Sequence, residues 1–300
     1  MSPGGPPAQG CGMGRGRMRA MIVLMLASLT LARAGPGVSQ TPGLEQALQR
    51  ARDHTPRPLS LARDQADWRE SHAELSADMD PAADIQSRIA DLTRQAQRDA
   101  RLGAMVFREP PVLGRECVAT GLKGCSSAIG GYLALREGRL LWQLQDGFTD
   151  EDGISGGVVF IGEVAGRSGP MRPIAWSFDG ARFDAPVLLS GPEFEGQAYV
   201  AVPGVRAGSA SGNADVLFRW DRSGGRLTEI DVWSWRDALP ERLPAGLSIL
   251  QGVRYDWTNM MAVTQLWREN DGHCCGTGGT AILSFVIEGD RLALSDVQVR

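Results

Sequence analysis

Apolar residues follow a helical period from about residue 44 to 102 and an alternating period after about 115. The chain therefore reads as helices first and strands second. Leu44, Leu48 and Ala51 share one helical face. Pro56 and Pro58 end that segment, because proline lacks an amide hydrogen and clashes with the preceding turn. Leu61, Trp68 and Leu75 recur every seven residues, with Gln65 and His72 on the same stripe. Asp80-Pro81 predicts a new helix start, with Asp as N-cap and Pro at the first helical position. Ile85, Ile89, Leu92 and Ala96 form one face of that helix. Two or three amphipathic helices with short connections over 43–108 predict an antiparallel hairpin or small bundle.

Glu109-Pro110-Pro111 breaks the pattern. Beyond it glycine becomes frequent, and seven of the eight tryptophans appear. Four stretches read as strand, Gly-containing turn, strand, with tips at Glu137-Gly138-Arg139, Asp179-Gly180, Ser223-Gly224-Gly225 and Glu288-Gly289-Asp290. Glycine supplies the positive φ that tight hairpins require. Each tip is followed by Arg and an apolar residue: Arg139-Leu140, Arg182-Phe183, Arg226-Leu227 and Arg291-Leu292. These arginines are expected to flank turns on the wet face. The tips are irregularly spaced, which speaks against a propeller. The fold expected is α+β: a short N-terminal helical module over 43–108, then an antiparallel β-domain over 115–300, built as a sandwich or open barrel of hairpins.

The N-terminus changes the picture of where the chain works. Arg15, Arg17 and Arg19 precede an apolar run from Ala20 to Leu31, and Ala32-Arg33-Ala34 follows. A basic end, a short apolar core and an Ala-x-Ala exit describe a secretory signal peptide over 1–34, cleaved near Ala34. The run is short for a membrane span, which takes about 20 apolar residues. The expectation is a periplasmic or secreted protein with no stable membrane anchor after cleavage. Loss of the four arginines in that segment takes the net charge from −4 to −8. Such a balance argues against nucleic acid or an anionic membrane surface as partner.

Export also sets the meaning of the cysteines. Cys117, Cys125, Cys274 and Cys275 remain, an even count in an oxidising compartment, and disulfides are expected. Cys117 and Cys125 are close enough to bond each other. Cys274 and Cys275 could bond each other, could staple to Cys117 or Cys125, or could join His273 as soft metal ligands. Directly adjacent cysteines are poor ligand spacing for zinc, so no metal and no cofactor are expected. The loop His273-Cys274-Cys275 stands as the candidate functional loop. No Cys-x-x-Cys redox motif occurs.

Three strings imitate catalytic motifs. Gly153-Ile154-Ser155-Gly156-Gly157 matches a nucleophile elbow, but a β-rich run follows where a helix is required. Asp150-x-Asp152-Gly153 lacks the remaining spaced ligands of a calcium loop. Gly276-x-Gly278-x-x-Ala281 opens a strand and offers no helix N-terminus to a phosphate. His54 and His72 are expected to be structural or solvent-facing. No catalytic residue is therefore assigned.

Leu61-Ala62-Arg63-Asp64-Gln65-Ala66-Asp67-Trp68-Arg69 is similar to the Gln-x-x-Trp core of the LprI family, exported bacterial proteins associated with lysozyme inhibition. Arg88-Ile89-Ala90-Asp91-Leu92-Thr93-Arg94 resembles that family's closing helix. That family usually has cysteines around these helices, and this segment has none. The resemblance makes Gln65, Trp68 and Arg69 the motif residues and implies a binder or inhibitor of a lysozyme-like hydrolase. An acidic chain would suit such a basic partner by electrostatic steering. The loop Cys274-Cys275-Gly276-Thr277-Gly278-Gly279 is loosely similar to the Cys-Cys-Pro-Ser loop of LppP/LprE-type lipoproteins. The leading expectation is a non-catalytic envelope binding protein. The alternatives are an envelope glycan or peptidoglycan hydrolase using a carboxylate pair, and a redox or metal sensor at Cys274-Cys275.

Overall fold

A computed structural model describes residues 41–75, 79–135, 138–149, 153–163, 169–207, 212–221, 224–272 and 275–300. The expected signal peptide lies outside the described residues.

Proline opens each of the helices α1 (Pro42–His54), α2 (Pro58–Ala73) and α3 (Pro81–Gly103). At this position the missing amide hydrogen costs nothing and the fixed φ suits the first turn. Asp80 caps α3 as expected, accepting from the Ala82 amide at 2.9 Å. Leu44, Leu48, Leu61, Leu92 and Ala96 pack into one apolar cluster between the helices. His72 is buried there, and its Nδ1 lies 2.6 Å from Asp84 on α3, while His54 is exposed.

The rest of the chain forms three antiparallel meanders. The first sheet runs β1 (Lys123–Leu135), β2 (Gly138–Phe148), β3 (Ile154–Glu163) and β4 (Met171–Gly180) in order. The second contains β6 (Val187–Ser190), β7 (Ala198–Val202), β9 (Val216–Asp221) and β10 (Arg226–Ile230), neighbouring in the order β10-β9-β7-β6. The third joins β13 (Met261–Arg268), β14 (Gly279–Glu288) and β15 (Arg291–Val299), with the short β11 (Leu247–Ser248) and β12 (Arg254–Asp256) both paired to β13. A minor pair links β5 (Arg182–Phe183) to β8 (Gly204–Val205).

Alternation of side chains explains how these sheets stack. Val200, Val216 and Phe218 of the second sheet face Trp142, Val158 and Phe160 of the first. Tyr199, Ala201 and Leu217, their sequence neighbours, face Leu266, Leu283 and Leu294 of the third. Every residue of β7 is buried, because both faces of its sheet are covered. The outer face of the first sheet carries Val159, Ile161, Trp176 and Phe178, and Leu102 of α3 packs on it. The order of layers is helices, first sheet, second sheet, third sheet. The expected α+β class holds, and the β-domain is a stack of three sheets.

Three of the four expected hairpins form, one in each sheet: β1–β2, β9–β10 and β14–β15. Gly225 and Gly289 at two of the tips take φ of 57° and 62°. The fourth does not form. At Asp179-Gly180 the chain leaves the first sheet, and Arg182–Phe183 pairs with Gly204–Val205 instead of returning along β4. Gly180 permits this crossing: a Cβ there would lie 2.8 Å from the Phe183 ring. Arg182, Arg226 and Arg291 are exposed, and each has an acidic partner close in sequence: Asp184, Asp221 and Glu288.

Cys117 and Cys125 form a disulfide with Cα atoms 6.2 Å apart, pinning the segment before β1 to its start. Neither is left for a long-range staple, so the arrangement linking them to Cys274 or Cys275 is ruled out. Among the described residues, no helix is long and apolar enough to cross a membrane.

Candidate functional site

The helices meet the sheets at the first turn of α2. Its free amides need acceptors, and a carboxylate also complements the positive end of the helix dipole. Glu229 on β10 supplies both, accepting from the Leu59 amide at 2.7 Å and the Ser60 amide at 3.3 Å, and from the Ser60 hydroxyl. Burial pushes the Glu229 carboxyl above its usual range despite these bonds and the nearby Arg57 guanidinium. Arg57, just before α2, donates to the hydroxyls of Ser177 and Ser60, each at 2.7 Å, and pairs with Asp179 on β4. A helix, the first sheet and the second sheet are thus joined through one buried guanidinium.

Beside this joint lies a cleft of about 700 Å³, lined by the start of α2, α3, β4 and the Trp233–Arg236 segment after β10. Arg57, Arg63, Arg98, Arg206 and Arg236 line it, with Asp64, Asp67, Asp99 and Asp179. The arginines differ in how they are compensated. Arg63 reaches Asp231 at 3.2 Å, and Arg98 reaches Asp99 at 3.0 Å and lies over the Phe178 ring. Arg206 and Arg236 both lie over the Trp233 ring, at 5.8 and 5.0 Å from its centroid, and Arg236 also lies over Trp235 at 4.9 Å. Among the described residues neither makes an ion pair. The Arg236 Nε is buried with no hydrogen-bond partner, and its terminal nitrogen only reaches the Gln251 carbonyl at 3.5 Å. Burial, aided by repulsion from Arg63, lowers the pKa of Arg236.

Two carboxyls in the cleft are driven apart. Burial raises that of Asp99, outweighing Arg98 and the Trp176 indole that donates to it at 2.8 Å. Burial also acts to raise that of Asp179, but the guanidiniums of Arg57, Arg98 and Arg206 outweigh it and hold the group low.

No protein-family model matches this chain, and no curated protein matches it. Its chemistry is therefore read from its own residues.

The motif residues Gln65, Trp68 and Arg69 do not line the cleft, and neither do Ser155 and Cys275, although Leu61, Arg63, Asp64 and Asp67 of the same helical segment do. Gln65 is buried and accepts from Arg88 Nε at 3.0 Å. Trp68 packs on His72 with ring centroids 4.9 Å apart, and Arg88 lies over it. Arg69 reaches Glu45 of α1 at 3.4 Å. The Gln-x-x-Trp-Arg motif thus ties the three helices together. His273 and Cys274 lie outside the described residues. The loop around them is held by Asp271, which accepts from the Arg268 amide, the Thr277 amide and the Thr277 hydroxyl, each at 2.7 Å. Those bonds lower the Asp271 pKa. Cys275 is exposed, and its amide donates to Gly272 at 3.0 Å. Ser155 is buried inside β3, its hydroxyl donating to the Phe178 carbonyl at 3.0 Å, so the nucleophile-elbow string is strand interior.

The arginine cleft was missed because its members lie far apart in the chain. One local signal existed: Trp233-Ser234-Trp235-Arg236 places aromatic faces beside a cation, an arrangement suited to cation–π contact.

Proposed function

We propose that this chain is an exported, non-catalytic binding protein whose helix–sheet cleft takes an anionic small molecule or an anionic group of a larger ligand. The observation that carries the reading is Arg236: a half-buried guanidinium with no ion pair among the described residues, sharing the Trp233 ring with Arg206 and repelled by Arg63. Burying a charge without a counter-charge is costly. A carboxylate or phosphate in the cleft would supply that counter-charge, and guanidinium donors suit such oxygens geometrically. The Cys117–Cys125 disulfide and the signal-like N-terminus support export.

Titration with citrate and inorganic phosphate, followed by calorimetry and thermal shift, tests this. Binding that stabilises the native chain is expected, with affinity at least about tenfold weaker in Arg236→Ala, equivalent to about 1.4 kcal/mol. No binding, or equal binding by the variant, would sink the reading. The cationic lining favours an anion over a basic hydrolase. Lysozyme binding at low salt that is unchanged in Arg236→Ala would favour the hydrolase partner instead.

A further inference from the structure

A second cleft, of about 1010 Å³, continues the first along α3. The two share Gln95, Arg98, Phe178 and Asp179 as lining residues, so Arg98 stands where they join. Arg94, Arg98 and Arg101 line the second cleft at positions i, i+4 and i+7, which places them on one face of α3. Over those seven residues the helix rises about 10 Å. Lys123, the chain's only lysine, lines the same cleft. Arginines therefore line the two clefts from Arg236 past Arg98 to Arg101, with Arg94 paired to Asp91 and Arg98 to Asp99.

Carboxylates share this lining. Asp64 and Asp67 line the first cleft, Asp91 the second, and Asp179 both. Like charges in close apposition are destabilising, so a polymer with closely spaced charges and no hydroxyls between them would be repelled at each of these positions. Ionised carboxylates are acceptors only, and they take hydrogen bonds from hydroxyl groups. A lining that mixes guanidiniums with carboxylates suits a ligand that carries both acid groups and hydroxyls.

We propose that the two clefts act as one groove for a linear acidic polysaccharide, whose carboxylates meet the arginines and whose hydroxyls meet the aspartates. This rests on the anion-binding reading of the first cleft and adds the length and chemistry of the ligand.

The test uses the mature chain with galacturonic acid, its linear oligomers of increasing length, and inorganic polyphosphate. Affinity is expected to rise at least about tenfold from monomer to the longest oligomer, about 1.4 kcal/mol. Arg101→Ala should lower the oligomer-to-monomer affinity ratio, while Arg139→Ala, at an exposed position that lines neither cleft, should leave it unchanged. Polyphosphate should bind more weakly than an oligouronate of similar length. Length-independent binding, a ratio unchanged in Arg101→Ala, or tighter binding of polyphosphate would overturn the proposal. Binding of citrate or phosphate without any binding of uronates would also overturn it, and would leave the anion-binding reading standing.

Discussion

Asp215 carries the clearest single-residue consequence. It is buried and accepts from Asn213 Nδ2 at 2.8 Å and Trp257 Nε1 at 3.0 Å. Burial outweighs both bonds, and its pKa is pushed up to about 6 from 3.8. Between those values the native state binds more protons than the unfolded state, so stability falls as pH rises through about 4 to 6 and is level above. The loss from this group alone is on the order of 3 kcal/mol. Denaturant melts of the wild type and Asp215→Asn across pH 4–7 measure it: the variant should show a shallower decline. An unchanged slope would contradict the assignment. This effect cannot be seen in the sequence, because Val253 and Trp257 reach the Asn213 and Asp215 side chains only through the fold.

At the scale of elements, the joint between α2 and the sheets decides whether the helices stay docked. Glu229→Ala removes the acceptor of the α2 amides and a neighbour of the buried Arg57 guanidinium, 3.4 Å away. Truncating one partner of a buried charge pair costs about 3–5 kcal/mol. The variant should unfold at lower denaturant, and α2 amides should exchange faster with solvent than those of β14. Equal protection of α2 in both proteins would mean the docking rests on apolar contact alone. The Cys117–Cys125 bridge closes a short loop, with a sequence separation of 8. Its removal by Cys117→Ser should cost about 2–3 kcal/mol in the chain-entropy account. A matching fall in the denaturation midpoint checks it, with no redistribution of the other cysteines into new links.

For the whole molecule, the stacking of three sheets puts the second at the centre. Phe218, fully buried between the first and second sheets, should be among the costliest truncations, about 3–5 kcal/mol for Phe218→Ala. Three buried carboxyls, Asp99, Asp215 and Glu229, all have raised pKa values. Each favours the protonated native state at mildly acidic pH. The lowered groups, Asp179 and Asp271, lose their contribution only at more acidic pH. The folded chain should therefore melt at higher temperature near pH 5 than near pH 7 in the absence of ligand. The proposed export makes a separate prediction: material recovered from the periplasm should begin near Gly35 on N-terminal sequencing, and retention of residues 15–34 would refute it.

Short-range pattern alone determined much of this protein. The period of Leu44, Leu48 and Ala51 gave α1, Asp80-Pro81 gave the start of α3, and the glycines at 225 and 289 gave two hairpins, because each depends on neighbours within a few residues. The α+β order and the local Cys117–Cys125 option followed in the same way. The false hairpin at Asp179-Gly180 shows where that logic stops: a Gly tip looks the same whether the chain returns to its own sheet or crosses to another. The burial of Gln65 and Trp68 between helices was legible as a stripe, but their role as helix ties was not. Only the tertiary structure stacked the sheets, set Glu229 against a helix start 170 positions earlier in the chain, and gathered Arg57, Arg98, Arg206 and Arg236 around one cleft. Charge counting suggested an acidic surface for a basic partner. The fold also gathers five arginines and four aspartates along one cleft, because electrostatics depends on distances that sequence separation does not encode.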